Sequence, residues 1–503
     1  MILKFTMVAL YLLVLLGIGL VASRRVKDVK DYFAAGKSLG FMAAAFSSRA
    51  TGESAWLLLG LTGMGAALGI KAFWVVFGEL LGVAASWLLM SRRFHRLTQR
   101  YDSITVPDYL EERFRDRTHR LRLVAATALV VFVTIYVSAQ IDATGKAFES
   151  FLGVDYYVGA TVGYAVVLGY IALGGFLAVV WSDVFQGRLM VLGLVLLPIV
   201  GLISLGGFDV LFSKLEAIDP SLLAWSGSVE GWTVMGFLGV VGLSLIGLGF
   251  LGSPQLFVRF LAMRDEAEIP AGTVVAIIWT LMADTGAVLA GMAGRALLSE
   301  PGNDVEALLG SGGENVLPLL VEHLFPTVVV GIYIAVVLSA IMSTVDSLLI
   351  LAGSAAVRDL YQKVLHPEMT DAELGRTSRN VTIALATAAF ALAIVVALLV
   401  PGRTVFWFVI FGWSGIAATF CPTMILSLGW RGMTRDGALA AMISGFLCVP
   451  LFKFGATAIP GIGVYFAELS ELPPAFLISG TLGIVVSLRQ KAQGRALANE
   501  LDF

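Results

Sequence analysis

The sequence predicts an all-α, polytopic membrane protein whose core consists of two oppositely oriented repeats of five helices. Of its 503 residues, 58% are hydrophobic and 14% are charged, and the mean hydropathy is +0.88. A soluble core could not bury this much apolar surface, so the chain is expected to lie in lipid. Apolar runs long enough to cross a hydrocarbon layer of about 30 Å recur along the whole sequence. Two of them, five helices apart, are interrupted by glycines and polar residues.

Apolar runs between charged or Gly/Pro breaks predict about thirteen helices. The first is followed by Arg24 and Arg25 and has only Lys4 near its start, so we interpret it as a retained span rather than a cleaved signal peptide. The predicted spans are 2–23, 39–62, 72–92, 121–145, 155–180, 183–205, 232–261, 273–297, 326–357, 380–400, 404–429, 438–458 and 472–488.

The distribution of positive charge predicts the orientation of these spans. Of the 34 Lys and Arg residues, 26 fall in one set of alternate loops and the C-terminal tail, including Arg259, and 7 fall on the other side. The remaining one, Arg49, lies inside a span. Because cytoplasmic loops retain positive charge, the N-terminus is expected outside and the C-terminus in the cytoplasm.

The second and seventh spans are expected to lose regular helical backbone. Their sequences are SSRATGESAWLLLGLTG at 47–63 and LSLIGLGFLGSP at 243–254. Irregular backbone at membrane depth is tolerated where it lines a cavity, and a matched pair of broken helices is typical of inverted-repeat transporters. The alternative is that glycine-rich spans simply pack closely. The predicted units are an extra helix and loop at 1–38, repeats at 39–205 and 232–430, an extracellular loop at 206–231, and two C-terminal helices with a short tail at 431–503.

The ninth span carries an unusually polar stretch, SAIMSTVDS, at 339–347. Ala340, Ser343, Thr344 and Ser347 have the spacing of one helical face. Hydroxyl and carbonyl oxygens are ligands that suit a small hard cation, and Asp346 adds a carboxylate beside this face. The alternative is that the hydroxyls bond back to their own helix.

Ionisable residues within spans are costly and therefore point to function. They are Arg49, Glu53, Glu79, Asp284 and Asp346. Arg49 and Glu53 have the spacing of an intrahelical ion pair; alternatively, Arg49 faces a site and attracts an anionic group of a solute. Asp183 begins the sixth predicted span and has the position of a helix N-cap at the cytoplasmic surface.

Several long motifs in order resemble those of the solute:sodium symporter family, most like bacterial sodium/proline symporters. They are DYFAAGKSLG at 31–40, ATGESAWLLLGLTG at 50–63, SITVPDYLEERF at 103–114, FVTIY at 132–136, GGFLAVVWSDVFQ at 174–186, GLGFLGSP at 247–254 and SAIMSTVDS. The resemblance implies thirteen helices of the LeuT-type fold and coupling to Na⁺.

The resemblance also implies ion and solute sites. A sodium ion would be bound by the backbone carbonyls of Ala50, Glu53 and Ala340 and by the hydroxyls of Ser343 and Thr344, and a possible second sodium by Asp183, Asp346 and Ser347. Candidate solute-binding residues are Arg49, Gly52, Tyr136, Gln140, Ile246, Phe250 and Ser253. Gly52 stands where the proline transporters have aspartate, and Ile246 and Phe250 stand where they have Trp and Tyr. These departures alter the volume and polarity of the pocket, and the resemblance implies a proline-like amino acid or related carboxylate as the solute.

The remaining functional classes are weakly supported. The four histidines show no metal or nucleophile spacing, so we do not expect an enzyme, and Cys421 and Cys448 suggest neither a disulfide nor a zinc site. The expected partners are a small solute, sodium and the lipid bilayer, with no nucleic acid. The alternatives are a proton-coupled transporter of the same fold, favoured by Glu53, Asp284 and Asp346, and a sodium symporter for a sugar acid or vitamin.

Overall fold

The computed structural model describes residues 1–24, 34–171, 175–366, 368 and 370–493, and these residues form a helical protein. An isolated backbone bridge joins Leu39 to Met263. The all-helical prediction is confirmed for this part of the chain. The α-helices are α1 Ile2–Ser23, α2 Phe41–Ala55, α3 Thr62–Leu68, α4 Phe73–Ala85, α5 Ser91–Arg100, α6 Val106–Phe114, α7 Arg120–Leu152, α8 Tyr156–Ile171, α9 Phe176–Leu205, α10 Phe208–Ile218, α11 Val234–Ser244, α12 Pro254–Ala262, α13 Ile269–Leu298, α14 Val305–Leu309, α15 Val316–Leu324, α16 Thr327–Ser354, α17 Asp371–Leu399, α18 Val405–Gly429, α19 Arg435–Pro450, α20 Gly463–Leu469 and α21 Leu472–Ala492.

Within the described residues, eleven helical segments are long and apolar enough to cross a membrane, and Tyr156–Gly169 is a shorter apolar helix. One of the eleven, Phe41–Arg100, contains both the second and the third predicted spans. They meet at Gly69, whose φ of +59° belongs to the left-handed region that favours glycine. The chain is a multi-pass membrane protein, and the number of thirteen spans stays a prediction.

The beginning of the sixth span was predicted wrongly. α9 begins at Phe176 rather than near 183, so Asp183 lies two turns inside a helix and is fully buried. Its interpretation as a helix N-cap at the membrane surface is therefore wrong. The run around Asp183 contains no helix-breaking residue, and a single carboxylate was mistaken for the end of a span. Gly174, the first residue of the motif at 174–186, and residues 31–33 of the motif at 31–40 lie outside the described residues.

Helix α2 occupies the centre of the protein. It packs against α9, α13 and α16, and every residue from Ser47 to Ala55 is buried. α4 packs against the irregular segment that follows α11. Polar residues of α2 are thereby held among helices rather than facing lipid, as membrane depth requires.

Candidate ion and solute site

The second predicted span is broken at Ser54. The backbone there has φ 45° and ψ −166°, and a π-helical stretch, Trp56–Leu61, follows before α3 begins. Gln140 of α7 compensates for the broken ladder, because its Oε1 accepts a hydrogen bond from the Ala55 N–H at 3.1 Å. The Tyr136 hydroxyl donates to Ser54 Oγ at 3.3 Å. The predicted break is confirmed, and two predicted pocket residues lie directly beside it.

The seventh predicted span is broken as well. α11 ends at Ser244 and is followed by the 3₁₀ segment Leu245–Leu251 and by Gly252 with φ 155°. The Ser253 hydroxyl donates to the Gly249 carbonyl at 2.6 Å. Trp413 of α18 donates from its indole nitrogen to the Ile246 carbonyl at 3.1 Å, and its ring lies 4.9 Å from that of Phe250. Trp413 was missed by the sequence analysis, which sought pocket residues in the two broken spans and the fourth span and not in the eleventh.

The polar face of α16 meets the end of α2 immediately before its break. Ser343 Oγ donates to the Ala50 carbonyl at 3.0 Å, and Thr344 Oγ1 donates to the Thr51 carbonyl at 3.1 Å. Both hydroxyls also lie 3.2 Å from the Ala340 carbonyl. All of these residues are buried. The predicted face therefore brings hydroxyl and carbonyl oxygens together in a protein interior, which is the donor set that suits a small hard cation.

One predicted sodium ligand, the backbone carbonyl of Glu53, has a hydrogen-bond partner other than the α16 hydroxyls. The Glu53 carbonyl accepts a hydrogen bond from the Trp56 N–H on the other side of the break, and Thr51 provides the carbonyl that contacts Thr344. The structure thus brings together Ala50, Ala340, Ser343 and Thr344 and adds Thr51, which the sequence did not indicate. The role of the Glu53 carbonyl stays a prediction.

Arg259 of α12 lies among the residues predicted for a second sodium. Its guanidinium donates to the Ser347 hydroxyl at 2.6 Å, to Thr51 Oγ1 at 2.7 Å and to Asp183 Oδ2 at 3.1 Å. Asp183 Oδ2 also accepts from Ser47 at 2.6 Å. Arg259 is only 1% exposed, so its assignment to a cytoplasmic loop was wrong. A positive residue after an apolar run resembles a loop residue in sequence, and its buried acidic partner was not apparent.

Asp346, the third residue predicted for the second sodium, lies next to this arginine cluster. Its Oδ1 accepts from the Ser347 N–H at 2.7 Å, and its Oδ2 has no hydrogen-bond partner among the described residues. The cation that the structure places between Asp183 and Ser347 is the guanidinium of Arg259. Sodium binding by these three residues stays a prediction.

Arg49 forms a second buried ion network with acids of three helices. It pairs with Glu53 one turn along α2 and with Glu79 of α4, whose Oε1 lies 2.5 Å from the guanidinium. Carboxylate oxygens of Glu53, Glu79 and Asp284 lie within 4.8 Å of one another, and all three residues are fully buried. The predicted Arg49–Glu53 pair is confirmed, but it belongs to a cluster of three acids around one base.

The Arg49 network adjoins the candidate solute pocket. The guanidinium carbon of Arg49 lies 4.7 Å from the centre of the Phe250 ring. A Cβ atom built on Gly52 would lie 3.0 Å from the same ring, so the aromatic side chain occupies the space that a larger residue at position 52 would need. Gly52 and Phe250 are thus neighbours, and the two breaks face each other across this contact.

Comparison with known proteins shows which family this chain belongs to. Residues 32–445 match the model of the sodium:solute symporter family. The chain belongs to that family. It is 34% identical to a high-affinity proline transporter of Bacillus subtilis over 96% of this chain and 98% of the relative. It is also 34% identical to a sodium/proline symporter of Escherichia coli K12, over 97% of this chain and 93% of the relative.

Comparison of structures supports the fold of this symporter. A substrate-bound, outward-open Na⁺-coupled sialic acid symporter superposes with a TM-score of 0.79, covering 100% of this chain and 99% of that one at 19% identity. The predicted LeuT-type fold is confirmed by this likeness. The family consists of sodium-coupled transporters rather than enzymes, so sodium is the coupling ion and a small solute is the cargo.

Proposed function

We propose that this symporter imports proline or a closely related amino acid together with sodium. The observation that carries the proposal is the contact of the Ser343 and Thr344 hydroxyls with the carbonyls of Ala50 and Thr51, immediately before the break in α2. The relatives named as proline transporters match almost the whole chain and support the choice of solute class.

The proposed sodium site consists of the carbonyls of Ala50, Glu53 and Ala340 and the hydroxyls of Ser343 and Thr344, with Thr51 as an additional carbonyl. A sodium ion there would bind α2 and α16 at the same time. Because the same segment of α2 continues into the break at Ser54, ion binding would order the backbone beside the solute. Sodium and solute would then raise each other's affinity, and the membrane potential, about 2.3 kcal/mol per charge per 100 mV, would drive import.

The proposed solute pocket lies between the two breaks and is formed by Gly52, Tyr136, Gln140, Ile246, Phe250 and Ser253. Tyr136 and Gln140 supply polar groups beside the first break, and Phe250 provides an apolar wall. This balance suits a small amino acid with an apolar ring or chain. Arg49 is assigned to the ion network because its pairs with Glu53 and Glu79 occupy the guanidinium.

Uptake of radiolabelled proline into proteoliposomes tests the proposal. We expect uptake under an inward sodium gradient and none in sodium-free buffer with an imposed pH gradient. Uptake driven by the pH gradient alone would favour the proton-coupled alternative. A panel of unlabelled competitors, including small amino acids, sugar acids and vitamins, would then define the specificity. Absence of sodium-driven uptake of both labelled proline and other labelled small amino acids would overturn the proposed class.

The proposed location is a bacterial inner membrane with the N-terminus outside and the C-terminus in the cytoplasm. The support is the excess of Lys and Arg in alternate loops. We also propose the repeats 39–205 and 232–430 as the transport core, since each contains one of the two broken helices. Labelling of single cysteines placed in opposite loops would test the orientation.

A further inference from the structure

An open cavity of about 840 Å³ lies where the helical segment that begins with α4 leaves the apolar region. Its lining contains five arginines, three leucines and no acidic residue. The lining residues are Leu88, Leu89, Arg92, Arg93, Arg96, Leu97, Arg100 and Arg431. Neither the proposed sodium site nor the solute pocket includes any of them.

The leucines and arginines are ordered along one helical segment. Leu88, Arg92, Arg96 and Arg100 follow one another at intervals of four residues, which places them along one side of a helix. Leu88 and Leu89 are 62% and 76% exposed, as expected of side chains that face lipid tails. Four helical residues span about 6 Å, similar to the step from the hydrocarbon to the headgroup region on one side of a bilayer.

The arginines repel one another unless an anion lies among them. Like charges four residues apart on a helix are destabilising. Arg96 is compensated by Glu266, whose carboxylate it contacts through two nitrogen atoms at 2.6 Å. Arg92 is exposed, and it acts on the same Glu266 carboxylate from a greater distance. The residues that line the cavity thus contribute five positive charges and no negative one.

Two ordinary explanations account for part of this pattern. Arginines collect on the cytoplasmic side of membrane proteins, and they are favourable near the C-terminal end of a helix such as α5. Neither explains why Arg431, from the loop between α18 and α19, lines the same cavity. Nor do they explain why the arginines continue directly from exposed leucines.

We propose that this cavity binds the headgroup of an anionic phospholipid, with an acyl chain along Leu88 and Leu89. Arginine forms paired hydrogen bonds with phosphate oxygens, and basic pockets at the cytoplasmic end of membrane helices attract anionic headgroups. A bound lipid would connect the helix ending at Arg100 to the loop at Arg431. These belong to the first predicted repeat and to the connection after the second.

The probe is phosphatidylglycerol, titrated into delipidated protein in detergent. Native mass spectrometry counts the bound lipid, and thermal unfolding measures its effect. We expect wild-type protein to retain phosphatidylglycerol and to unfold at a higher temperature with it, whereas phosphatidylcholine has little effect. The double variant Arg92→Gln with Arg431→Gln should bind about 30-fold more weakly, since each arginine near a membrane surface contributes roughly 1 kcal/mol and 1.4 kcal/mol is tenfold.

Two further variants keep the test decisive. Arg117→Gln with Arg120→Gln removes two exposed arginines of the same predicted cytoplasmic side and should bind the lipid like wild type. Arg92→Lys with Arg431→Lys preserves the charge but loses the paired hydrogen bonds, so it should bind the lipid more weakly than wild type and more strongly than the glutamine variant. Equal binding by the glutamine variant would overturn the proposal. So would an equal loss in the Arg117 and Arg120 control, or equal stabilisation by inorganic phosphate at the same concentration.

Discussion

At the level of single residues, the proposed sodium site depends on two neighbouring hydroxyls of α16. Ser343→Ala and Thr344→Ala each remove one oxygen from the proposed site and leave a helix-forming residue behind. Interactions of neutral oxygens with a charged group contribute about 1.5 kcal/mol or more. The sodium concentration for half-maximal uptake should therefore rise at least about tenfold in each variant. Initial rates of solute uptake over a sodium series measure this.

Ser339 provides the matched control for those two variants. It lies one turn before Ser343 on the same helix, and its hydroxyl contacts the Ala335 carbonyl at 2.7 Å and the Tyr11 hydroxyl at 3.2 Å. Ser339→Ala should keep the wild-type sodium response. If neither Ser343→Ala nor Thr344→Ala changed the sodium dependence, the site would have to lie elsewhere.

Arg49 pairs with two acids of a buried cluster of three, so its removal should affect stability before it affects solute binding. Breaking a buried ion pair on one side costs about 3–5 kcal/mol, because a charge is left without its partner. Arg49→Met should accordingly lower the unfolding temperature strongly. Adding Glu53→Gln and Glu79→Gln removes much of the uncompensated charge, so the unfolding temperature should recover in part. Thermal unfolding in detergent with sodium present measures both steps.

A different combination of stability and uptake would indicate that Arg49 binds the solute. If Arg49→Met kept the wild-type unfolding temperature and only raised the solute concentration for half-maximal uptake, the guanidinium would act on an anionic group of the cargo. The ion pairs with Glu53 and Glu79 are the reason to expect the first pattern.

Individual residues were predictable where spacing alone decides their neighbours. Ser343 and Thr344 follow from one helical face, and the Arg49–Glu53 pair follows from one helical turn. Arg259 and Thr51 were not predictable in this way. Their partners Asp183 and Ser347 lie on other helices, and a single sequence does not indicate which helices meet.

At the level of helices, glycines allow α4 to reach the second break. A Cβ atom on Gly78 would lie 1.8 Å from the Ser244 carbonyl oxygen, and one on Gly82 would lie 2.1 Å from that of Gly247. Small residues four apart permit such close approach of membrane helices. Gly78→Ala should therefore force the backbones apart, cost about 1–3 kcal/mol as overpacking does, and reduce uptake. Unfolding temperature and uptake rate are the measurements.

Gly17→Ala is the corresponding control. Gly17 lies in a predicted membrane helix as well, but a Cβ atom there would have no neighbour within 4 Å. We expect wild-type stability and uptake from this variant. Equal behaviour of Gly78→Ala and Gly17→Ala would mean that α4 and the second break adjust easily, contrary to the tight packing of their backbones.

The broken helices were predictable because glycine and polar residues at membrane depth are informative by themselves. The boundary before α9 was not, because Asp183 has the sequence context of a surface cap and the burial of its carboxylate depends on Arg259 and Ser47. Tertiary packing also determines which residues contact the second break, since Trp413 of α18 donates a hydrogen bond to it.

At the level of the whole molecule, Thr51 lies between the proposed sodium site and the proposed solute pocket, the two sites that transport must couple. Its carbonyl accepts from Thr344 at the proposed sodium site, and its hydroxyl accepts from Arg259. Gly52, the next residue, lies against Phe250 in the proposed solute pocket. A change that orders this segment for one ligand therefore prepares it for the other. The physical consequence is a coupling free energy shared by sodium and solute.

That coupling makes a quantitative prediction, because linkage requires it to be reciprocal. If saturating sodium lowers the Kd of proline by some factor, saturating proline must lower the Kd of sodium by the same factor at the coupled site. Couplings of this kind are typically about 1–3 kcal/mol, or 5- to 150-fold. Calorimetry of the purified protein can measure both factors. Thr344→Ala should reduce the two factors together, because the residue contacts α2 and not the solute pocket. Full coupling in that variant, with its sodium affinity reduced, would show that the contact between α16 and Thr51 binds the ion but does not transmit its effect.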